Sequence, residues 1–153
     1  MAQPSDYVII IFLSFTGFLI ASYIRHHKKN IQEALICPLK ANCDTVIHSD
    51  YSKFLGVPVE NLGMTYYAFT AAGYGLIIIF PAMGLPWIAS GLMLSSVFAF
   101  AFSIYLTAVQ AFALKNWCTW CLISASICGV IFALAATDSP LFSGLFSNLL
   151  LTL

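Results

Sequence analysis

Residues 61–114 read NLGMTYYAFTAAGYGLIIIFPAMGLPWIASGLMLSSVFAFAFSIYLTAVQAFAL, 54 consecutive positions without a Lys, Arg, Asp or Glu. A bilayer-spanning helix needs roughly 20 mostly apolar residues. The stretch is long enough for two. Pro81-Ala82-Met83-Gly84-Leu85-Pro86 breaks it near its middle, where a turn between two helices belongs. The apolar runs are continuous and do not alternate, which selects helices over barrel strands. Spans are thus expected at about 62–80 and 87–114.

Further uncharged runs flank this stretch. Nothing charged lies between Asp6 and Arg25, and nothing charged lies from Asn116 to Thr137. They supply spans at about 7–24 and 118–136. The first lacks a basic leader, and Arg25-His26-His27-Lys28-Lys29 follows it directly. That flank marks a retained span rather than a cleaved signal peptide. Composition agrees: the 153 residues are 61% hydrophobic and 8% charged, where a soluble domain carries roughly 25% charge. A soluble fold and a disordered chain are both excluded. Zero net charge leaves no basic patch for nucleic acid. The expected fold is an all-α membrane protein, a four-helix transmembrane bundle occupying residues 1–153 as one domain, embedded in lipid. No repeat and no appended soluble domain is visible, and the tail after Pro140 is apolar and uninformative.

Four spans put both termini on one side and the loop at about 25–61 on the other. That loop holds nine of the twelve charges and is long for a helical hairpin. It is expected to fold over the end of the bundle, with a short helix near 44–54. All six Lys and Arg residues, Arg25, Lys28, Lys29, Lys40, Lys53 and Lys115, fall on the loop side. The positive-inside rule therefore turns the loop of this multi-pass cell-membrane protein toward the cytoplasm.

Four of the five cysteines converge on that side. Cys37 and Cys43 lie six apart in the loop, and Cys118-Thr119-Trp120-Cys121 opens the fourth span. Positions i and i+3 share a helix face. At a helix N-terminus the backbone N–H groups and the dipole favour a thiolate, the species that attacks disulfides. Blander readings stand beside this one. Cys37 and Cys43 could instead be a structural loop staple, and Cys118 and Cys121 two buried thiols, though both readings carry less weight. A zinc site with His26, His27 and His48 is weaker, because zinc usually takes paired C-x-x-C knuckles, so no metal is expected. Cys128, two turns deeper, reads as a packing residue. Trp117 and Trp120 read as interface anchors, with Trp120 also placed to wall an aromatic pocket. Two dithiol pairs on one side of an uncharged bundle suggest a relay whose electrons leave for an acceptor in the bilayer. No flavin or haem signature is present, and a membrane-soluble quinone suits an apolar, concave site between helix ends.

The stretches Cys37-Pro38-Leu39-Lys40-Ala41-Asn42-Cys43-Asp44, Ser49-Asp50-Tyr51-Ser52-Lys53-Phe54-Leu55-Gly56-Val57-Pro58 and Leu62-Gly63 resemble the loop of the vitamin K epoxide reductase family. Cys118-Thr119-Trp120-Cys121-Leu122-Ile123-Ser124-Ala125 resembles the fourth-helix motif of its prokaryotic, disulfide-forming members. The resemblance covers about 7–136. It implies a bundle around a quinone of the ubiquinone or menaquinone type, and oxidation of a thioredoxin-like partner. Cys37 would meet the partner, Cys43 would pass electrons inward, Cys118 would exchange with Cys43, and Cys121 would face the quinone. Ser49 matches a Ser/Thr beside the active site. Vertebrate members have Tyr where this chain has Ala125, which favours a plain quinone over vitamin K epoxide. Many bacterial members carry a fused thioredoxin-like domain, for which this chain is too short, so a separate partner is expected. Family members usually face the periplasm or an organelle lumen, against the Lys/Arg count. The expected function is a quinone-dependent membrane thiol oxidase. The rival is a structural tetraspan protein with a loop disulfide, which would have no use for Cys118 and Cys121.

Overall fold

The computed structural model describes residues 4–30, 37, 42–81 and 86–138. Four long helices dominate. Helix α1 spans Pro4–Lys29, with Asp6 in its first turn and His26, His27, Lys28 and Lys29 in its last; both ends suit the helix dipole. It outruns the apolar stretch 7–24, so its last turn stands above the membrane. After the loop come α3 (Val59–Ile79), α4 (Pro86–Ala108) and α5 (Thr119–Asp138). The apolar windows of the four long helices have mean hydropathy between 1.4 and 2.2, and only 11–33% of each window is buried within the molecule. Most of the apolar surface therefore points outward, which only lipid accommodates. The chain is an all-α, multi-pass membrane protein.

The connection expected at 81–86 lies mostly outside the described residues; Pro86 stands at the first position of α4, where its missing N–H costs nothing. The loop departs from the single helix expected near 44–54. Instead α2 (Cys43–Ile47) is followed by a 3-10 turn at Asp50–Ser52 and a small hairpin, β1 (Lys53–Phe54) with β2 (Val57–Pro58). Lys53 pairs with Pro58 and Phe54 with Val57. The two turn residues, Leu55 and Gly56, both have positive φ, 51° and 82°. Such a two-residue turn matches the twist of a hairpin and ends any helix running into it. The Ser49 hydroxyl donates to the Val46 carbonyl at 2.7 Å, which closes α2 early.

Helix α1 packs on α3 and also on α5, and α5 packs on α4. Two glycines set the spacing. A Cβ at Gly17 would overlap the Tyr67 ring, and one at Gly73 would sit 2.6 Å from Leu92 Cδ2. Absence of a side chain lets Tyr67 and Leu92, each 1% exposed, reach the core. Helices α3 and α4 thus meet at Gly73 and Leu92, toward the end remote from the loop. Nearer the loop a cavity of about 770 Å³ separates them.

Candidate dithiol and cavity site

Cys37 and Cys43 form a disulfide with Cα atoms 6.1 Å apart. Cys43 is the first residue of α2 and is buried in the same cluster as Cys118. Asn42 Nδ2 donates to Asn116 Oδ1 at 3.0 Å, tying the start of α2 to the segment that leads into α5. Both cysteine pairs therefore stand at one end of the bundle.

Cys118 and Cys121 are free thiols. Cys118 immediately precedes α5 and acts as its N-cap. The Cys121 N–H donates to Cys118 Sγ at 3.4 Å, and the Leu122 N–H to the Cys118 carbonyl at 3.0 Å. Sulfur here takes the place that a Ser or Asp oxygen fills in an ordinary cap. The Cys121 thiol, hydrogen-bonded to Cys118, holds the Cys118 thiol below its ordinary range. Burial opposes this, and the N–H groups of Cys121 and Trp120 add to it. Cys118 is fully buried and lies outside the cavity wall, whereas Cys121 is part of that wall. The C-x-x-C turn thus has one sulfur facing inward and one facing the cavity.

The helix before this turn is irregular. Val109–Leu114 winds as a π segment. Lys115 then takes a left-handed conformation, φ 50°, and Asn116 Nδ2 donates to the Leu114 carbonyl at 2.9 Å, satisfying an end carbonyl. The wider π turn swings Gln110 inward. It is 3% exposed, and its Oε1 accepts the Cys118 N–H at 3.0 Å. Sequence reasoning missed this residue. One amide inside an apolar run looks unremarkable, though a lone Gln eight positions before a C-x-x-C is a signal in retrospect.

Also missed was a cluster at the loop end of the cavity. Lys28 Nζ lies 2.9 Å from Glu60 Oε1 and 3.0 Å from Ser52 Oγ. It joins the last turn of α1, the first turn of α3 and the loop. Glu60 is 8% exposed and lines the cavity.

Ser49 also lines the cavity, as do Ala125 and Cys128. Trp120 does not take the place expected of it. It packs against Tyr23 of α1, ring centroids 5.2 Å apart, and is absent from the cavity wall. Trp117 is half exposed, as befits an interface anchor. His48 turns to Asp44, its Nδ1 3.3 Å from Oδ1, and His27 packs edge-on against Tyr23. Deeper in the cavity the Tyr67 hydroxyl donates to the Ser124 carbonyl at 3.0 Å and lies 3.3 Å from Cys128 Sγ. Tyr66 donates to Ser96 Oγ at 3.4 Å. The rest of the lining is mainly apolar and reaches Phe69 on α3 and Phe98 on α4, which are 56% and 68% exposed. The cavity therefore opens sideways, between α3 and α4, onto the lipid-facing surface.

A disulfide beside a free C-x-x-C, and an apolar cavity against one of its sulfurs, are the parts of a thiol redox device. The family model described as vitamin K epoxide reductase family matches residues 8–136, nearly the whole chain, and the chain belongs to that family of membrane oxidoreductases.

Proposed function

We propose that the protein is a thiol oxidase that takes electrons from a separate thioredoxin-like dithiol protein and passes them through two cysteine pairs to a quinone. One observation carries the reading: Cys121 forms part of the wall of a lipid-open apolar cavity, while its partner Cys118 is buried outside that wall, in the same buried cluster as Cys43 of the loop disulfide.

The residues fit a quinone. A cavity of about 770 Å³ lies in the range of small-molecule sites. Its wall is mainly apolar, with a few polar groups from Ser49, Glu60, Gln110 and the tyrosines. The gap between α3 and α4 leaves room for an apolar tail to run into the bilayer. A quinone bound there supplies a two-electron acceptor. The chain's own residues do the rest. A partner thiolate attacks Cys37 of the Cys37–Cys43 bond, forming a mixed disulfide and releasing Cys43. The partner's second thiol resolves that bond, leaving Cys37 and Cys43 as thiols and the partner oxidised. Cys43 attacks Cys118 of an oxidised Cys118–Cys121 pair, and Cys37 then closes the outer disulfide again. Two electrons have moved inward, and Cys121 presents them at the cavity wall.

Residues Lys28, Lys29 and Lys115 flank the membrane on the loop side. Their charge favours a cytoplasmic catalytic face, which suits a host whose cytoplasmic proteins hold disulfides. Thiol trapping of purified protein, with and without a short-chain quinone, tests the function. A relay shifts the redox state of both pairs on quinone addition, and a staple shifts neither. A membrane-impermeant thiol reagent on intact cells after mild reduction tests the orientation. Labelling of Cys37 from outside refutes the cytoplasmic face.

A further inference from the structure

We infer that the Gln110 side-chain amide is the donor that holds a carbonyl oxygen of the quinone ring in the cavity, beside the turn that carries Cys121. The inference rests on the quinone reading above and deepens it by naming the residue that seats the ring.

The amide has one end committed and one end unused. Gln110 Oε1 accepts the Cys118 N–H at 3.0 Å. Only an oxygen can accept from a backbone N–H, so this bond fixes which way round the amide lies. Its Nε2 carries two protons and has no hydrogen-bond partner among the described residues. Gln110 is 3% exposed and is part of the cavity wall, whereas Cys118 stands outside that wall. The acceptor end therefore serves the C-x-x-C turn, and the donor end is the polar group that Gln110 leaves to the cavity.

Neighbouring donors are already committed. A hydroxyl has one proton to give. On this wall Ser49 gives its proton to Val46, Thr65 to Asn61, Tyr67 to Ser124, Ser95 to Leu92 and Thr107 to Ser103, in each case to the backbone carbonyl. A quinone has the opposite need. Its ring oxygens accept and donate nothing, and burying them unpaired in an apolar cavity is costly. An amide with unused protons is the chemical complement of such a ring, and an unpaired buried donor is itself unfavourable until an acceptor arrives.

Position adds to chemistry. The π turn that brings Gln110 inward also sets it against the start of α5. Two hydrogen bonds then lead from the amide to the inner pair: Cys118 donates its N–H to Gln110 and receives the Cys121 N–H on its sulfur. Cys121 lines the same cavity as Gln110. With its oxygen clamped by Cys118, the amide cannot turn over, so its N–H groups are oriented before any ligand enters. A donor fixed beforehand stabilises negative charge gathering on the oxygen it holds, without reorganisation.

The test uses oxidised full-length protein in lipid vesicles, so that no electrons move, and a short-chain benzoquinone isotopically labelled at its carbonyls. Infrared difference spectra read the ring carbonyls, and magnetic resonance of nitrogen-labelled glutamine reads the amide. The signals of the other glutamines, Gln3 and Gln32, are identified by Gln3→Asn and Gln32→Asn. On binding, one carbonyl band is expected to move to lower frequency and the Gln110 amide protons to move downfield. In Gln110→Leu the band returns to its position in lipid, and affinity falls roughly 3- to 10-fold, as for one lost hydrogen bond. An azido-benzoquinone, cross-linked by light and mapped, reports separately whether the ring enters the cavity. Cross-linking to the wall with the carbonyl band or the Gln110 amide unmoved, or a shifted band that survives Gln110→Leu, overturns this inference alone. No cross-linking to the wall overturns the quinone reading and this inference with it. Because the amide signal is read on the unsubstituted side chain, the inference can be refuted even if Gln110→Leu folds poorly.

Discussion

Replacing Gln110 by Leu keeps the bulk of the side chain and deletes the acceptor of the Cys118 N–H. That donor is buried, and the bond is 3.0 Å long. Leaving a buried donor unsatisfied costs about 1–3 kcal/mol. The site relaxes this cost by letting the Cys118 turn shift away from the π segment. If the whole cost falls on the population with Cys121 seated at the cavity wall, electron delivery slows by about 5- to 150-fold, since 1.4 kcal/mol corresponds to a factor of ten. The assay is single-turnover reoxidation of the pre-reduced protein by a short-chain quinone, followed by acid-quenched thiol counting. Reduction of the outer Cys37–Cys43 bond by a small dithiol should stay near the wild-type rate, because the hydrogen bond lost is made to Cys118. Gln110→Glu retains an acceptor oxygen and should recover part of the rate. A Leu variant within twofold of wild type in reoxidation would refute the capping argument.

Other expectations follow from the same geometry. Cys118→Ser and Cys121→Ser abolish turnover with the fold intact, whereas Cys128→Ser, whose sulfur lies two turns deeper beside the Tyr67 hydroxyl, keeps most of it; equal losses in quinone reduction assays would contradict the assignment. Cys121→Ala removes the main donor to Cys118. The ultraviolet thiolate absorbance of Cys118 should then titrate at higher pH than in the reduced wild type, since a thiol held low by its partner rises when the partner goes. With Cys43→Ala the free Cys37 thiolate attacks the disulfide of an oxidised partner, releasing one partner thiolate, and with no Cys43 to displace the partner the mixed disulfide accumulates on non-reducing gels; with Cys37→Ala it does not. Gly17→Val drives a branched side chain into the Tyr67 ring, and overpacking of about 1–3 kcal/mol lowers the thermal midpoint; Gly75→Val, with open space beside it, serves as the neutral comparison.

The spans were legible because a bilayer imposes a length and a composition that the charges delimit. The four cysteines could be picked out by residue type and spacing, and the structure gathers them at one end. What escaped has physical causes. Gln110 sits in a run that a membrane helix tolerates, and a π turn has no compositional signature. Glu60 reads as a loop charge because α3 begins one residue before it, at a boundary that apolar periodicity blurs by a turn. The hairpin turned on Leu55, a residue type that does not advertise positive φ. Trp120 was placed by adjacency to Cys121, whereas its ring packs on Tyr23 of α1, a contact between helices that spacing along the chain does not reveal. Ser49 came from family resemblance, and the structure adds its hydrogen bond to Val46.

The sideways opening between Phe69 and Phe98 changes what concentration means for this protein. A molecule entering there never crosses bulk water on its last step; it diffuses in two dimensions and arrives at a depth set by the bilayer. Saturation then depends on the mole fraction of that molecule among lipids. Diluting a suspension of vesicles at fixed lipid composition should leave the degree of saturation unchanged, whereas adding empty lipid should lower it.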